Sequence, residues 1–364
     1  MPSPPPVPRP SLLAALLAVA LGALLAPAPS AQTPAPPAPA ASGPVLPGLD
    51  GDPVVLVVHG GAGTITRANL TAEDEAGVRA ALTGALRAGH AEVVAGRPAM
   101  DAVTAAIAVL EDSPHFNAGR GGVFAADATV RHDASVMDGA TGQAGASTGT
   151  MHVRHPVELA RRVMEASPHV LLSGAGAEEF ALEQGLELVP NAFFHTDRRL
   201  ASLRAVQERE RTTSGAAAGP EPWQMRGTVG AVALSAAGSL AAGTSTGGMT
   251  NKKWGRIGDS PLIGAGTYAD DATCGVSATG HGEFFIRLGV ARDIAARMAY
   301  LGESVDQAAG TVVMTTLGEA GGTGGVIALD AQGRAAMPFN TEGMYRGTVT
   351  RSGRVTTMIY DDED

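Results

Sequence analysis

The chain has 364 residues, 17% of them charged, and a net charge of −10, which together describe an acidic protein with room for one large or two small domains. It has no stripe of Lys and Arg to neutralise phosphates, so a nucleic acid is excluded as its partner. Glycine is abundant, at 48 residues. It occurs in short clusters between apolar runs, which predicts many close backbone approaches.

Residues 1–31 predict a cleaved export signal. Arg9 gives a weakly positive start, and 11–26 is an apolar run rich in Leu and Ala, followed by small residues. This run is shorter than the roughly 20 residues that span a bilayer, so we expect no stable membrane anchor. Residues 32–52 are rich in Pro and Ala and predict a disordered spacer. We therefore expect a periplasmic or secreted protein with a single folded domain at 53–364.

Cys274 is the only cysteine, so an internal disulfide is excluded and the packed core must stabilise the fold. It lies in an apolar, strand-like run, and we expect a buried residue rather than a reactive thiol. The nine histidines show no HExxH or similar spacing, so a catalytic zinc site is not predicted.

The first half of the chain is mainly helical by pattern. The apolar run 54–58 predicts a buried strand, and the glycine-rich 59–63 predicts a sharp exit from it. A loop rich in Gly, Pro and small residues is expected at 212–227. Apolar residues at helical spacing predict helices at 73–94, 99–110, 158–166, 176–184 and 197–210.

The second half predicts mixed structure. Alternating strands at 229–234 and 240–246, joined by small residues, predict a β-hairpin. Helices with strands between them indicate an α+β fold in which helices cover sheets. Further strands are expected at 262–267, 273–279 and 326–329, and helices at 283–299 and 304–317.

Thr228 stands where the predicted loop becomes a buried strand, directly after Gly227. An internal Thr hydroxyl is a poor nucleophile, whereas a Thr at a chain terminus carries its own base, an α-amine of pKa about 7.7 to 8.0. Glycine before it permits a strained scissile peptide. Taken alone, a Thr at this position is more commonly a strand former.

Serine-hydrolase chemistry is the rival interpretation. The pattern Gly-x-Ser-x-Gly occurs around Ser147 and Ser245, and 59–61 resembles an oxyanion loop. That pattern requires a strand, a sharp turn and a helix. Glycines follow Ser245 and a strand-like segment follows Ser147, so neither context fits.

Other segments offer binding chemistry. Arg256 can hold an α-carboxylate and Asp259 an α-ammonium, although a surface ion pair is the alternative. Thr279 offers a hydroxyl and Gly280 a backbone N–H, a pairing that can stabilise an oxyanion. The loop at 110–119 can wrap a hard cation with its carbonyls or, alternatively, end the preceding helix.

Taken in order, these segments resemble the plant-type asparaginase and isoaspartyl peptidase family of N-terminal nucleophile hydrolases. The similarity runs from about residue 54 to the C-terminus. The segments that carry it are HGGAG at 59–63, FNAG at 116–119, DASVMDG at 133–139, GTVGAV at 227–232, TSTGGMT at 244–250, GRIGDSP at 255–261, GAGTYA at 264–269, TGHGE at 279–283 and PFNTEGM at 338–344.

The resemblance implies a role for individual residues. It implies a nucleophile, Thr228, that self-cleavage after Gly227 sets free. The residues implied for catalysis are Thr228, Thr246, Thr279, Gly280 and Asn117, and those implied for substrate binding are Arg256, Asp259, Gly248, Thr279 and Gly280. No catalytic cofactor is implied, but a structural sodium ion is, held by the backbone carbonyls of Leu110, Glu111, Ser113, Phe116, Ala118 and Arg120.

The family fold is a four-layer αββα sandwich, assembled as a dimer of cleaved αβ units. Here the α chain is expected at about 32–227 and the β chain at 228–364. The implied substrates are small molecules, L-asparagine and β-aspartyl dipeptides, cleaved through an acyl-enzyme on Thr228. The chain departs from many relatives in having Gly227 and Ser235 where they carry acidic residues, and its export signal is unusual for the family.

Two alternatives stay open. Glycosylasparaginases share the fold and the threonine chemistry, but they tend to carry Gly-Asp where this chain has Gly282-Glu283, and Asn-Gly where it has Gly247-Gly248. A non-catalytic exported binding protein that is never cleaved is the second alternative. The intact set of Thr, Arg and Asp side chains argues against it.

Overall fold

The computed structural model describes residues 51–212 and 227–363, which form α+β structure. The expected signal segment, nearly all of the spacer and most of the loop expected at 212–227 lie outside the described residues. Within the described ranges, no helix combines the length and the apolar character needed to cross a membrane.

Twelve strands and eight α-helices occur in the described residues. The strands are β1 Val54–Gly63, β2 His132–Asp138, β3 Ala144–Thr150, β4 Leu171–Ser173, β5 Val229–Leu234, β6 Leu240–Thr246, β7 Thr267–Ala269, β8 Cys274–Gly280, β9 Gly324–Asp330, β10 Ala335–Ala336, β11 Gly343–Thr350 and β12 Val355–Tyr360. The helices are α1 Ala72–Val94, α2 Ala99–Asp112, α3 Pro156–Ala166, α4 Gly174–Glu183, α5 Asp197–Thr212, α6 Gly282–Leu288, α7 Val290–Leu301 and α8 Val305–Gly310, which Thr311–Leu317 extends as a π-helix.

The strands form two sheets. The larger has the order β12-β11-β1-β5-β6-β2-β3-β4, and all its pairs are antiparallel except β3 with β4. The smaller has the antiparallel order β10-β9-β8-β7. The predicted hairpin of β5 and β6 is present, with Val229 opposite Ser245. It lies at the centre of the larger sheet.

Side chains of β1 alternate between two apolar clusters. Leu56 and Val58 pack with residues of α1 and α2 such as Leu86. Val57 packs instead with Ile327 of β9, so this cluster joins the two sheets. Successive side chains of a strand point to opposite faces, and a strand buried on both faces therefore needs an unbroken apolar run. A third cluster packs α7 and α8 on β8 and β9.

Several element boundaries differ from the prediction. β1 does not leave the sheet at 59–63 but continues to Gly63, because β11 pairs with it along this stretch. The strand expected at 262–267 is wrong, since β7 begins only at Thr267. The helix expected at 283–299 is two helices, because Gly289 adopts a left-handed φ of +62° between them. Strands β2, β3, β4, β10, β11 and β12 were not predicted.

Candidate active site

Thr228 and Thr246 lie side by side at one end of the central hairpin. The Thr228 hydroxyl donates a hydrogen bond of 3.0 Å to Thr246 Oγ1. Thr246 Oγ1 also accepts the backbone N–H of Gly248 at 2.9 Å. Both threonines are buried. Because Thr246 accepts from Thr228, the lone pairs of the Thr228 oxygen stay available for attack on a carbonyl.

The peptide before Thr228 lies against the backbone of β1. A Cβ added at Gly227 would lie 2.0 Å from Gly61 Cα, and one added at Gly61 would lie 2.4 Å from Gly227 Cα. Gly61 also has a φ of +113°, which disfavours any side chain. The contact therefore requires glycine on both sides. The local sequence explains Gly227 only through strain, and it does not reveal that 59–63 forms the surface beneath this glycine.

Asn117 connects three segments around the hydroxyl pair. Its backbone N–H donates to the Gly227 carbonyl at 3.2 Å, and its carbonyl accepts the Gly247 N–H at 2.9 Å. Its side-chain amide donates to the Gly248 carbonyl at 2.7 Å and accepts the Val123 N–H at 2.9 Å. The carbonyl that precedes Thr228 is thus polarised by an N–H group.

Thr279 lies next to the last residue of β8, on the side of the smaller sheet that faces the hairpin. Ser277, two residues earlier, shares a 2.6 Å hydrogen bond with Thr244, so the next positions on the same faces are Thr279 and Thr246. Thr279 is buried, and its hydroxyl has no hydrogen-bond partner in the described part of the chain. A buried hydroxyl without a partner costs about 1–3 kcal/mol, which a bound oxyanion can recover.

Gly280 follows Thr279 with a φ of +151°. A Cβ at this position would lie 2.4 Å from the Thr323 carbonyl oxygen and 2.7 Å from Gly324 Cα. Only glycine fits this close approach of backbone to backbone. The Thr279 hydroxyl and the Gly280 backbone therefore lie next to each other at the end of β8.

His59 lies in strand β1, so 59–61 is not an oxyanion loop. Its Nε2 is 2.9 Å from Ser277 Oγ, so it connects β1 to the smaller sheet. Burial lowers the pKa of His59 to about 3, which the Thr228 backbone only partly opposes. The imidazole is therefore neutral at physiological pH. Sequence reasoning did not predict this link.

Arg256 and Asp259 are not the surface ion pair considered above. Arg256 donates two hydrogen bonds, of 2.9 and 3.0 Å, to the carboxylate of Glu283, a partner that the sequence did not reveal. Asp259 is buried, and its Oδ2 has no hydrogen-bond partner among the described residues. A Cβ added at Gly282 would lie 2.7 Å from Asp259 Oδ1 and 3.0 Å from Arg256 Nη2, so a glycine keeps both groups accessible.

The charge of Asp259 is strongly affected by its surroundings. Burial raises the pKa of its carboxyl to about 7, which the nearby Arg256 partly opposes and Glu283 reinforces. An ammonium group placed beside it would favour the ionised form and lower the pKa again. The site is therefore suited to a ligand that carries a positive charge at this point.

The loop after α2 folds back on its own carbonyls. The Leu110 carbonyl accepts the Ser113 N–H at 3.2 Å, and the Glu111 carbonyl accepts the Arg120 N–H at 2.6 Å. A Cβ at Gly121 would lie 2.7 Å from the carbonyl oxygen of Phe116. The loop therefore ends the helix, and the carbonyl oxygens of Pro114 and Phe116 lie close to Gly121.

The Glu111 side chain is a buried link that the sequence did not suggest. Its carboxylate accepts hydrogen bonds from the Ser245 hydroxyl at 2.6 Å and from the Val157 N–H at 3.0 Å. His155 Nδ1 lies 3.3 Å from the other oxygen. Burial raises the pKa of Glu111, and these partners oppose the shift. The carboxylate thus connects the loop to the residue before Thr246.

The rival nucleophiles lie inside strands. Ser147 is a buried residue of β3, and Ser245 is a buried residue of β6 that donates to Glu111. Neither stands at a turn from a strand into a helix, as a nucleophile elbow requires. Cys274 is buried, as expected, and burial raises the pKa of its thiol to about 12.

Known proteins are similar to this chain over most of its length. Residues 52–359 match a family model described as asparaginase. The chain is 49% identical over 310 residues to an isoaspartyl peptidase of Escherichia coli K12, covering 85% of this chain and 97% of that protein. It is 50% identical over 309 residues to an isoaspartyl peptidase of Salmonella typhimurium, covering 84% and 98%. A probable isoaspartyl peptidase/L-asparaginase of Arabidopsis thaliana is 42% identical over 325 residues, covering 84% and 98%.

The family model spans most of the chain, and each of these relatives is covered almost completely. The chain therefore belongs to the asparaginase family, and the resemblance found in the sequence is confirmed.

Proposed function

We propose that the chain is an autoprocessing threonine amidohydrolase that cleaves β-aspartyl dipeptides and hydrolyses L-asparagine to L-aspartate and ammonia. The observation that carries the proposal is the buried hydroxyl pair of Thr228 and Thr246, 3.0 Å apart, directly after the constrained Gly227. The names of the relatives support the same substrates for this chain.

Self-cleavage is the first reaction. The Thr228 oxygen attacks the Gly227 carbonyl carbon, and the Asn117 N–H stabilises the negative charge that develops on the carbonyl oxygen. The peptide C–N bond breaks, the nitrogen takes the proton that the Thr228 hydroxyl loses, and an ester joins Gly227 to the Thr228 oxygen. Water hydrolyses this ester. The products are an α chain ending at Gly227 and a β chain that begins with the free amine of Thr228.

Substrate turnover repeats this chemistry. The free α-amine takes the proton of the Thr228 hydroxyl, and the oxygen attacks the side-chain carbonyl of the substrate. The Thr279 hydroxyl and the Gly280 N–H stabilise the oxyanion, which explains the unpartnered hydroxyl of Thr279. Ammonia or an amino acid leaves with the proton. Water then releases aspartate from the acyl-enzyme.

The aspartyl part of the substrate is held by charge. Arg256 binds the α-carboxylate, while the buried Asp259 binds the α-ammonium and Gly248 lines the space between Thr246 and Arg256. Arg256 already faces Glu283, so the substrate must share the guanidinium with this carboxylate or displace it. L-Asparagine and β-aspartyl dipeptides present the same two α groups, so one site serves both.

The remaining features follow from the family and the sequence. The apolar clusters on both faces of the larger sheet and between the sheets support a four-layer αββα sandwich. A dimer of αβ units and, from residues 1–31, a periplasmic or secreted location complete the proposal. The proposal also includes a structural sodium ion, which the carbonyls of Leu110, Glu111, Ser113, Phe116, Ala118 and Arg120 would hold; the Phe116 carbonyl oxygen beside Gly121 supports it.

Thr228→Ala tests the proposal. Without the hydroxyl, the chain should stay whole and hydrolyse neither β-aspartyl dipeptide nor L-asparagine. Intact-mass measurement of the wild type should find two fragments that join between 227 and 228. An active wild type with this peptide bond intact would overturn the mechanism. Activity on glycosylated asparagine alone would favour the glycosylasparaginase alternative.

A further inference from the structure

A pocket of about 410 Å3 opens beside the candidate active site and shares Arg256 with it. We call it the basic pocket, and its main lining residues are Arg131, Asp133, Lys252, Lys253, Trp254 and Arg256. Gly248 connects it to the catalytic hydroxyls. The Gly248 N–H donates to Thr246 Oγ1, and a Cβ added at Gly248 would lie 3.0 Å from Lys252 Nζ and 3.5 Å from Arg256 Nη1.

The base of the basic pocket holds a buried cation and a buried carboxylate. Lys252 Nζ donates to the Arg131 carbonyl at 2.9 Å and lies 3.9 Å from Asp133 Oδ2. Asp133 Oδ1 accepts the Gly149 N–H at 2.9 Å, whereas its Oδ2 has no hydrogen-bond partner among the residues the structure describes. An ammonium group has three donors. Because buried polar groups normally have hydrogen-bond partners, the bottom of the basic pocket is suited to a polar group of a ligand.

The charges favour an anion at Lys252. The neighbouring cations are each matched at close range: Arg131 by Asp127, Lys253 by Glu210 and Arg256 by Glu283. Among the described residues, the ion pair of the Lys252 ammonium is the more distant one with Asp133, at 3.9 Å. Burial lowers the pKa of Lys252, Asp133 opposes the shift, and Arg256 and Arg131 lower the pKa further. A carboxylate bound here would relieve this repulsion.

Trp254 forms an aromatic rim of the basic pocket. Its side chain is 98% exposed, and its backbone has a left-handed φ of +55°. Such a conformation is uncommon for a bulky residue and costs energy. The backbone therefore places this side chain at the opening of the pocket, where the ring is free to contact an apolar group.

We propose that the basic pocket binds the amino acid that leaves when a β-aspartyl dipeptide is cleaved, with its α-carboxylate at Lys252 and its side chain against Trp254. This inference rests on the proposed function. L-Asparagine releases only ammonia, which cannot use the pocket. The pocket therefore makes β-aspartyl dipeptides with a free C-terminus and an apolar second residue the preferred substrates.

The first experiment changes only the substrate. The wild-type enzyme is assayed with β-aspartyl-leucine and with its C-terminal amide, and L-asparagine reports on the catalytic groups. We expect kcat/KM to be about tenfold or more lower for the amide, because a charge-assisted hydrogen bond is lost. Equal values for acid and amide would overturn the inference while leaving the proposed function intact. No hydrolysis of any of them would overturn both.

The second experiment changes the enzyme. Asn tolerates the left-handed backbone, so Trp254→Asn removes the ring without new strain. The ratio of kcat/KM for β-aspartyl-leucine to that for L-asparagine should fall about tenfold. Lys252→Met should remove the preference for acid over amide. Tyr300→Ala, at another exposed aromatic side chain, is the matched control and should leave both ratios unchanged. An unchanged ratio in Trp254→Asn would contradict the inference.

Discussion

The carboxyl group of Asp259 is buried, and one of its oxygens has no hydrogen-bond partner among the described residues. Burial raises its pKa from 3.8 to about 7, so the folded chain binds this proton more tightly than the unfolded chain does. For this group, stability is greatest below pH 4 and falls as the pH rises through about 7. A substrate ammonium would offset this cost. The same residue thus weakens the empty fold and strengthens binding.

Asp259→Asn should reduce this dependence of stability on pH. In Thr228→Ala, chosen because its chain is expected to stay whole, the free energy of unfolding in urea should fall between pH 5 and pH 8. Adding Asp259→Asn should shrink the fall by about 1 kcal/mol or more. Asp361→Asn, at an exposed position, is the control and should keep the original slope. Identical slopes with and without Asp259 would show that its charge is not costly.

Gly61→Ala should impair self-cleavage. The added Cβ would lie 2.4 Å from Gly227 Cα and would push the scissile peptide away from the Asn117 N–H. We expect the chain to remain mostly uncleaved on a denaturing gel and to lose about 1–3 kcal/mol of stability. Gly142→Ala also places an alanine at a positive φ, of +69°, but in open space, and should be cleaved normally. Normal cleavage of Gly61→Ala would disprove the role of this contact.

At the scale of elements, Glu111 joins three parts of the fold. It stands near the end of α2, receives a hydrogen bond from the start of α3 at Val157, and receives another from Ser245 in β6. Ser245 and Thr246 are neighbours on β6, so their side chains point to opposite faces. The carboxylate therefore fixes the strand from the side opposite the candidate active site.

Ser245→Ala should loosen this attachment. The loss of a buried hydrogen bond to a carboxylate should lower the free energy of unfolding by about 1.5–3 kcal/mol. We also expect kcat to fall more than KM rises, since Thr246 is displaced while Arg256 and Asp259 are not. Ser202→Ala removes an exposed hydroxyl of α5 and should change neither quantity. A stability equal to that of the wild type would contradict the proposed attachment.

Apolar periodicity predicted the elements that apolar packing stabilises. The strands β1, β5 and β6 and the long helices α1 and α2 were found because their buried residues are Val, Leu, Ile and Ala at regular spacing. β2 was missed because HDASVMD is buried largely through polar contacts, such as that of Ser135 with Thr267. The pair of Arg256 with Glu283 joins residues that are far apart in the sequence, and no local pattern predicts such a contact. The family motifs predicted the candidate site residues, but they did not predict the contacts that fix these residues in place.

On the scale of the whole molecule, the position of residue 228 divides the larger sheet in an unusual way. Cleavage there would assign β1–β4 to one fragment and β5–β12 to the other. In the sheet, β1 lies between β11 and β5, and β6 pairs with β2. The strands of the two fragments are therefore interleaved. Three strand-to-strand boundaries would join separate chains by backbone hydrogen bonds and shared apolar clusters.

The two fragments should therefore stay together after cleavage. We expect a single species in native size-exclusion chromatography and two bands on a denaturing gel of the same fraction. Thr228→Ala should elute at the same volume and give one band. Fragments that separate without denaturant would contradict the pairing of β1 with β5 and β11.

Because β1 lies between two strands that come later in the chain, the protein has to fold before it cleaves itself. While the chain is continuous, β1 pairs with β5 and β11 in an intramolecular step. After cleavage, an unfolded molecule can refold only if its two fragments associate. The rate of this bimolecular step falls as the protein is diluted. Maturation is thus a one-way transition, and the thermal midpoint of the mature protein should depend more steeply on its concentration than that of Thr228→Ala does.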